Sequence, residues 1–210
     1  TKPSIRCKRK RQHMGRKQAI IQSATRLFAQ KGFAETSTAE IAEDAGVAHG
    51  TLFYHFKNKR GIIHEIFSMA GDVYLRNLKS VLARQNNGME GIEAIIRFNE
   101  NYSRDHIQQI RIFQRFFPDL GNDADPEKML LDSLKQQVID LIRKSLETGA
   151  ADGSIACAKI HETADVIHSL IFGITHMNLM ESADTPALTE EAIAFCRRAL
   201  TPGGQDCQRV

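Results

Sequence analysis

Hydroxyl, imidazole and ammonium groups crowd into one short stretch of the 210-residue chain, residues 38–59, TAEIAEDAGVAHGTLFYHFKNK. Thr38, His49, Thr51, Tyr54, His55 and Lys59 all carry hydrogen-bond donors suited to phosphate oxygens or base edges. Gly50 among them removes a side chain that would keep the backbone away from a phosphate. Catalysis finds no such concentration of groups: there is no G-x-S-x-G, no Gly-rich phosphate loop and no H-E-x-x-H, so no enzyme is expected. Further along, His161, Asp165 and His168 are spaced i, i+4, i+7 and could share one helix face as zinc or nickel ligands. Three such groups on one helix also arise as packing or solvated residues, and no metal is assigned to them.

Two helices joined by a tight turn would position the first set. One runs over 38–45, with Thr38 as its hydroxyl N-cap, Ile41 and Ala42 on its buried side, and Gly46 after its last turn in left-handed backbone. The second spans about 48–56, anchored by Leu52 and Phe56 four residues apart, with His49, Thr51, Phe53, Tyr54 and His55 around the rest of its surface. A buried helical hairpin would show the same periodicity. Charge decides between them. Residues 1–60 hold thirteen basic groups against four acidic ones, a balance of +9 in a chain whose total is +3, so the remainder carries −6. A basic head on a mildly acidic body is expected of a chain that grips a polyanion by releasing its counterions.

Residues 15–67 resemble the N-terminal domain of the TetR family of bacterial transcriptional regulators. The resemblance lies in ATRLFAQKGF, then TSTAEIAEDAGVAHGTLFYHFKNK, then GIIHEIF, about fifty residues at fixed spacing. It implies that Thr38 is the phosphate-binding cap of the second helix. It also implies that Ala48, His49, Gly50 and Thr51 meet bases and phosphates, with Tyr54 and His55 on the DNA backbone. His55 reads equally as a packed structural histidine. Phe53 sits at an aromatic position that is often tyrosine and lacks the hydroxyl, which leaves contact with a thymine methyl. Ala48 stands where many relatives have serine, so no side-chain phosphate bond is expected there. Lys59 matches the lysine that opens the fourth helix, where amine and helix N-terminus both attract phosphate.

The rest of the chain reads as helices throughout, over about 58–83, 90–104, 106–117, 127–148, 159–182 and 187–200, with no β alternation and no internal repeat. The expected fold is all-α: a three-helix helix-turn-helix head over 15–60, joined to a larger helical body over 61–210, with 1–14 as a basic, disordered arm. That arm, with four consecutive cations from Lys8 to Arg11, either follows the DNA or is a solvated tail. Phe98, Tyr102, Ile110, Phe113, Phe117, Leu134, Val138 and Leu141 give the body an apolar and aromatic surface. By the family resemblance they line a small-molecule effector cavity, with Tyr102 orienting the ligand. Val166, Leu170, Gly173 and Met177 form a second stripe on a helix whose other side, through Ala164, Ile167 and Ile171, suits a core. With Phe195 and Ala199 they are the expected homodimer interface.

Cys7, Cys157, Cys196 and Cys207 show no paired spacing, which suits free thiols in a reducing cytoplasm, and no segment has the ~20 apolar residues of a membrane span. The expected protein is a homodimeric regulator, a repressor released from a palindromic double-stranded DNA operator by a small molecule, with no cofactor. The alternative is a DNA-binding regulator or architectural protein without an effector.

Overall fold

The computed structural model describes residues 15–116, 120–180 and 184–203, so the basic arm and Phe117 lie outside the described residues. Among those described there are nine helices and no strand: α1 (Arg16–Lys31), α2 (Thr38–Ala45), α3 (His49–His55), α4 (Lys59–Leu82), α5 (Gly88–Asp105), α6 (Ile107–Phe116), α7 (Pro126–Asp152), α8 (Ile160–Leu179) and α9 (Thr185–Leu200). None of them is long and apolar enough to cross a membrane.

The N-cap of α2 differs from the sequence expectation. Ser37, not Thr38, caps the helix: its hydroxyl accepts from the Glu40 amide while the Glu40 carboxylate accepts from the Ser37 amide at 2.9 Å. A Ser-x-x-Glu box needs an acid three residues on, and only Ser37 has one; the residue three beyond Thr38 is Ile41. The Lys31 ammonium and the Ser37 cap together hold the Glu40 carboxyl down to about 2. At its other end α2 stops as expected, on Gly46 at φ 69°.

The chain divides into two compact units. The first holds the described residues up to Ala70 together with Gln108–Leu130; the second holds Gly71–Ile107 and the residues from Leu131 on. The first is therefore larger than a head ending at residue 60. Ile62, Ile63, Ile66 and Phe67 on the opening turns of α4 are buried in it, as is Phe116 of α6. Ile20, Ala24 and Phe28 of α1, Ile41 of α2 and Leu52 of α3 are also buried, each large apolar side chain contributing ~1.5–3 kcal/mol. Arg26 of α1 pairs with Asp44 of α2 at the edge of this packing.

Within the second unit α5 packs on α8 and α9, and α8 packs on α9. Ile92, Ile95 and Ile96 meet Ile142, Ile167, Ile171 and Ile193 in its core. The start of α5 and the end of α7 approach unusually closely. A Cβ on Gly88 would lie 2.1 Å from the Gly149 nitrogen and 2.4 Å from the Ser145 carbonyl oxygen. In sequence both glycines suggest breaks between helices; Gly88 is the first residue of α5, while Gly149 lies inside α7, which runs three residues past it.

Candidate nucleic-acid interface

The turn from Gly46 to Ala48 presents α3 with one anchored side. Leu52 is fully buried and the Phe56 that ends the helix nearly so, which turns His49, Gly50, Phe53 and Tyr54 outward; Thr51 and His55 are half-buried. Tyr54 is 85% exposed, and its ring meets His55 edge-on at 5.1 Å. A Cβ on Gly50 would touch nothing within 4 Å, so the backbone there is open on the outer side. Ala48 is the N-cap of α3 and gives no side-chain cap, which leaves first-turn amides of α3 without a side-chain acceptor.

Thr38 and His49, eleven residues apart, meet across the turn: Thr38 Oγ1 and His49 Nε2 are 3.1 Å apart. The imidazole also stands edge-on against Phe53, with ring centres 4.8 Å apart. These two contacts orient the ring and leave Nδ1 as its other hydrogen-bonding atom.

Lys59 requires a correction. Its ammonium donates to the carbonyls of Phe33 at 2.7 Å, Thr36 at 2.9 Å and Ala34 at 3.1 Å, and lies 4.4 Å from the centre of the Phe33 ring. An ammonium has three donors, and here all three are taken. Lys59 thus closes the loop between α1 and α2 onto the start of α4, and its amine is not presented to phosphate. Lys57, exposed two residues earlier, engages no partner among the described residues and was passed over in the sequence, where the family pattern draws attention to the closing lysine. Lys59→Met should therefore destabilise the protein by ~2–3 kcal/mol, because charge-assisted bonds to buried-side carbonyls are lost. Thermal unfolding with a parallel salt titration of non-specific DNA checks this. A salt slope shallower by ~1 unit would return the ammonium to the phosphate backbone.

Of the eight residues expected around an effector, Phe117 lies outside the described residues, Ile110 and Phe113 fall in the first unit, and Phe98, Tyr102, Leu134, Val138 and Leu141 fall in the second. Phe113 stacks face to face on Phe67, with ring centres 4.2 Å apart, in the first unit, where Ile110 also lies half-buried. Val138, Leu134 and Leu141 join the core of the second unit. Phe98 and Tyr102 alone line an open groove of about 540 Å³ between α4 and α5, together with Asn77, Glu93, Arg97 and His106. Tyr102 stacks on His106 at 3.9 Å and meets Tyr74 edge-on at 5.1 Å; burial pushes the phenols of both tyrosines up. Glu93, Arg97 and Asn101 follow one another at i, i+4, i+8, a polar row that a search for apolar lining overlooks.

On α8 the expected stripe is exposed at Val166 (59%) and Met177, and half-buried at Leu170, with Ala164, Ile167, Ile171 and Ile174 buried behind it. A Cβ on Gly173 would touch nothing within 4 Å among the described residues. Phe195 (51% exposed) and Ala199 of α9 face outward as well. Phe172, 64% exposed, lies about a third of a turn round α8 from this stripe, outside the apolar spacing read in the sequence. No three His, Cys, Asp or Glu side chains converge as metal ligands among the described residues, His161, Asp165 and His168 included.

The family model for bacterial regulatory proteins of the tetR family matches residues 20–66. Over 169 residues the chain is 27% identical to the uncharacterized HTH-type transcriptional regulator YhgD of Bacillus subtilis, covering 76% of this chain and 82% of YhgD. Among solved structures, a Saccharomonospora viridis protein in complex with choline superposes with a TM-score of 0.80, at 16% identity, over 89% of this chain and 97% of that one. FadR of Bacillus subtilis in complex with stearoyl-CoA gives a TM-score of 0.73 at 18% identity, over 85% and 96%.

Proposed function

Because this chain belongs to the TetR family of bacterial regulatory proteins and is a DNA-binding transcriptional regulator, we propose that it works in the cytoplasm as a homodimeric repressor. It binds a palindromic operator through two copies of α3 and leaves when a small molecule occupies the second unit. The observation that carries this reading is the outer side of α3: exposed donors and an open glycine backbone on a helix held from behind by Leu52 and Phe56. His49 and Thr51 reach base edges, while Tyr54, Thr38 and the uncapped α3 amides take phosphates. The exposed face of α8 and α9 pairs with its copy, which gives the two heads the fixed spacing that successive major grooves demand. A ligand that favours another spacing releases the operator, and the operator weakens ligand binding by the same factor. Relatives in fold hold ligands as different as choline and stearoyl-CoA, so the fold by itself fits no single effector.

Selection of bound fragments from the source genome tests the DNA reading directly; a chain that enriches no palindrome is not an operator-specific regulator. On the selected operator, His49→Ala should cost ~1–3 kcal/mol of discrimination, with a smaller loss on random DNA. Equal losses on both, measured side by side, would move His49 from base edges to the backbone.

A further inference from the structure

A cavity of about 310 Å³ lies in the second unit between α5 and the start of α9, lined by Arg97, Glu100 and Asn101 on one side and by Pro186, Ala187, Thr189 and Glu190 on the other. Glu100 is only 6% exposed. One of its carboxylate oxygens, Oε2, accepts from Arg104 at 2.9 Å; the other, Oε1, is buried and has no hydrogen-bond partner among the described residues. A buried carboxylate oxygen without a donor is costly, because the water it has lost is not replaced.

The neighbouring charges do not fill the gap. Arg97, the one cation lining the cavity, is held by both oxygens of Glu190, and Arg104 pairs with Glu100 only through Oε2, so neither supplies a donor to Oε1. The start of α9 offers a positive dipole end, yet that end is already met by the Asp184 carboxylate, which accepts from the Ala187 amide, and Pro186 has no amide to give. What the arrangement lacks is a donor to Glu100 Oε1, and a protonated amine is a strong small one. Pro186 and Ala187 add an apolar wall for the carbon body that carries it.

We propose that this cavity is a binding site for a small organic amine, whose protonated nitrogen donates to Glu100 Oε1 while its hydrocarbon part packs on Pro186 and Ala187. The inference rests on the reading of the second unit as ligand-responsive and names the chemical class of the ligand. Charge-assisted N–H to carboxylate bonds are the stronger kind, and an alcohol of the same shape gains much less from the same oxygen.

Three probes of one shape test it on the full chain at neutral pH: benzylamine, benzyl alcohol and benzoate, each at 10 mM. Benzylamine should raise the melting temperature by about 3–10 °C, the shift given by a ligand at ten to a hundred times its Kd in a chain of this size. Benzyl alcohol and benzoate should leave it within about 1 °C, a comparison that needs no variant. Glu100→Gln, checked as folded by circular dichroism, should lose the benzylamine shift. A shift from the alcohol or benzoate as large as that from the amine, no shift from the amine, or an amine shift that survives Glu100→Gln overturns the site. Operator release is measured in the same samples. Stabilisation by benzylamine without release leaves the amine site standing and removes the effector reading. Release by other molecules, with no stabilisation by the amine, does the reverse.

Discussion

Phe172→Glu should turn the protein into a folded monomer whose hold on its operator falls at least a hundredfold. Phe172 is 64% exposed on the outer side of α8, about a third of a turn round from the line of Val166, Gly173 and Met180, and Phe195 of α9 is similarly exposed. In a two-fold dimer each substitution counts twice. Two rings with on the order of 100 Å² each to bury, at ~25 cal/mol per Å², contribute ~5 kcal/mol to association. Losing that weakens a dimer by more than a thousandfold, since ~1.4 kcal/mol is a factor of ten. Sedimentation gives the oligomeric state, circular dichroism the retained helicity, and a filter or fluorescence titration the operator affinity. A variant that still sediments as a dimer and binds as before removes this face from the interface. Gly173→Leu is the companion test. Its new side chain has open space within its own chain, so a loss of dimer there cannot be blamed on overpacking the fold.

Gly88→Ala should damage the second unit more than any conservative surface change. The added methyl would sit within 2.4 Å of three backbone atoms, the Gly149 nitrogen and Cα and the Ser145 carbonyl oxygen. Neither partner can swing aside as a side-chain tip would, so α5 and α7 must separate. Separation also strains the bonds that lock the crossing: the Gly88 amide donates to Asp152 at 2.8 Å and the Met89 amide to Ser154 at 3.2 Å. The cost should reach the upper end of the overpacking range, ~3 kcal/mol or more, against a total stability of ~5–15 kcal/mol. That corresponds to a fall in melting temperature of about 6–12 °C. A variant melting with the parent would show that the two helices do not cross so closely.

The same pair of glycines marks where sequence reading ran out. Glycine is read as a stop because it is a poor helix former, and at Gly46 that reading holds, since the backbone there is left-handed. At Gly88 and Gly149 the residue is chosen for the absent side chain, a reason that shows only once two distant helices are placed together. Ser37 is a different case: its Ser-x-x-Glu signature stood in the sequence beside Thr38, and the wrong hydroxyl was given the cap. The all-helical course, the anchoring of α3 by Leu52 and Phe56, and the buried stripe of α8 were all legible from spacing. Which apolar residues of the body would face an effector was not. An apolar residue that fills a core and one that faces a cavity obey the same periodicity, so Phe113 and Val138 could be placed on the inside of a helix but not beside a ligand. The Lys59 ammonium likewise reads as a free cation until three carbonyls from the preceding loop are found around it.

The placement of the aromatic residues has an optical consequence. The chain contains no tryptophan and three tyrosines, so its near-ultraviolet emission comes from Tyr54, Tyr74 and Tyr102 alone. One of these phenols stands in the open on α3, and the other two touch ring to ring in the second unit. Tyr54 is thus placed to dim when nucleobases or phosphates crowd it, while the Tyr74–Tyr102 pair answers to changes around α5. With Tyr54→Phe as the blank, the unlabelled protein can report in one cuvette which of its two units has met a partner.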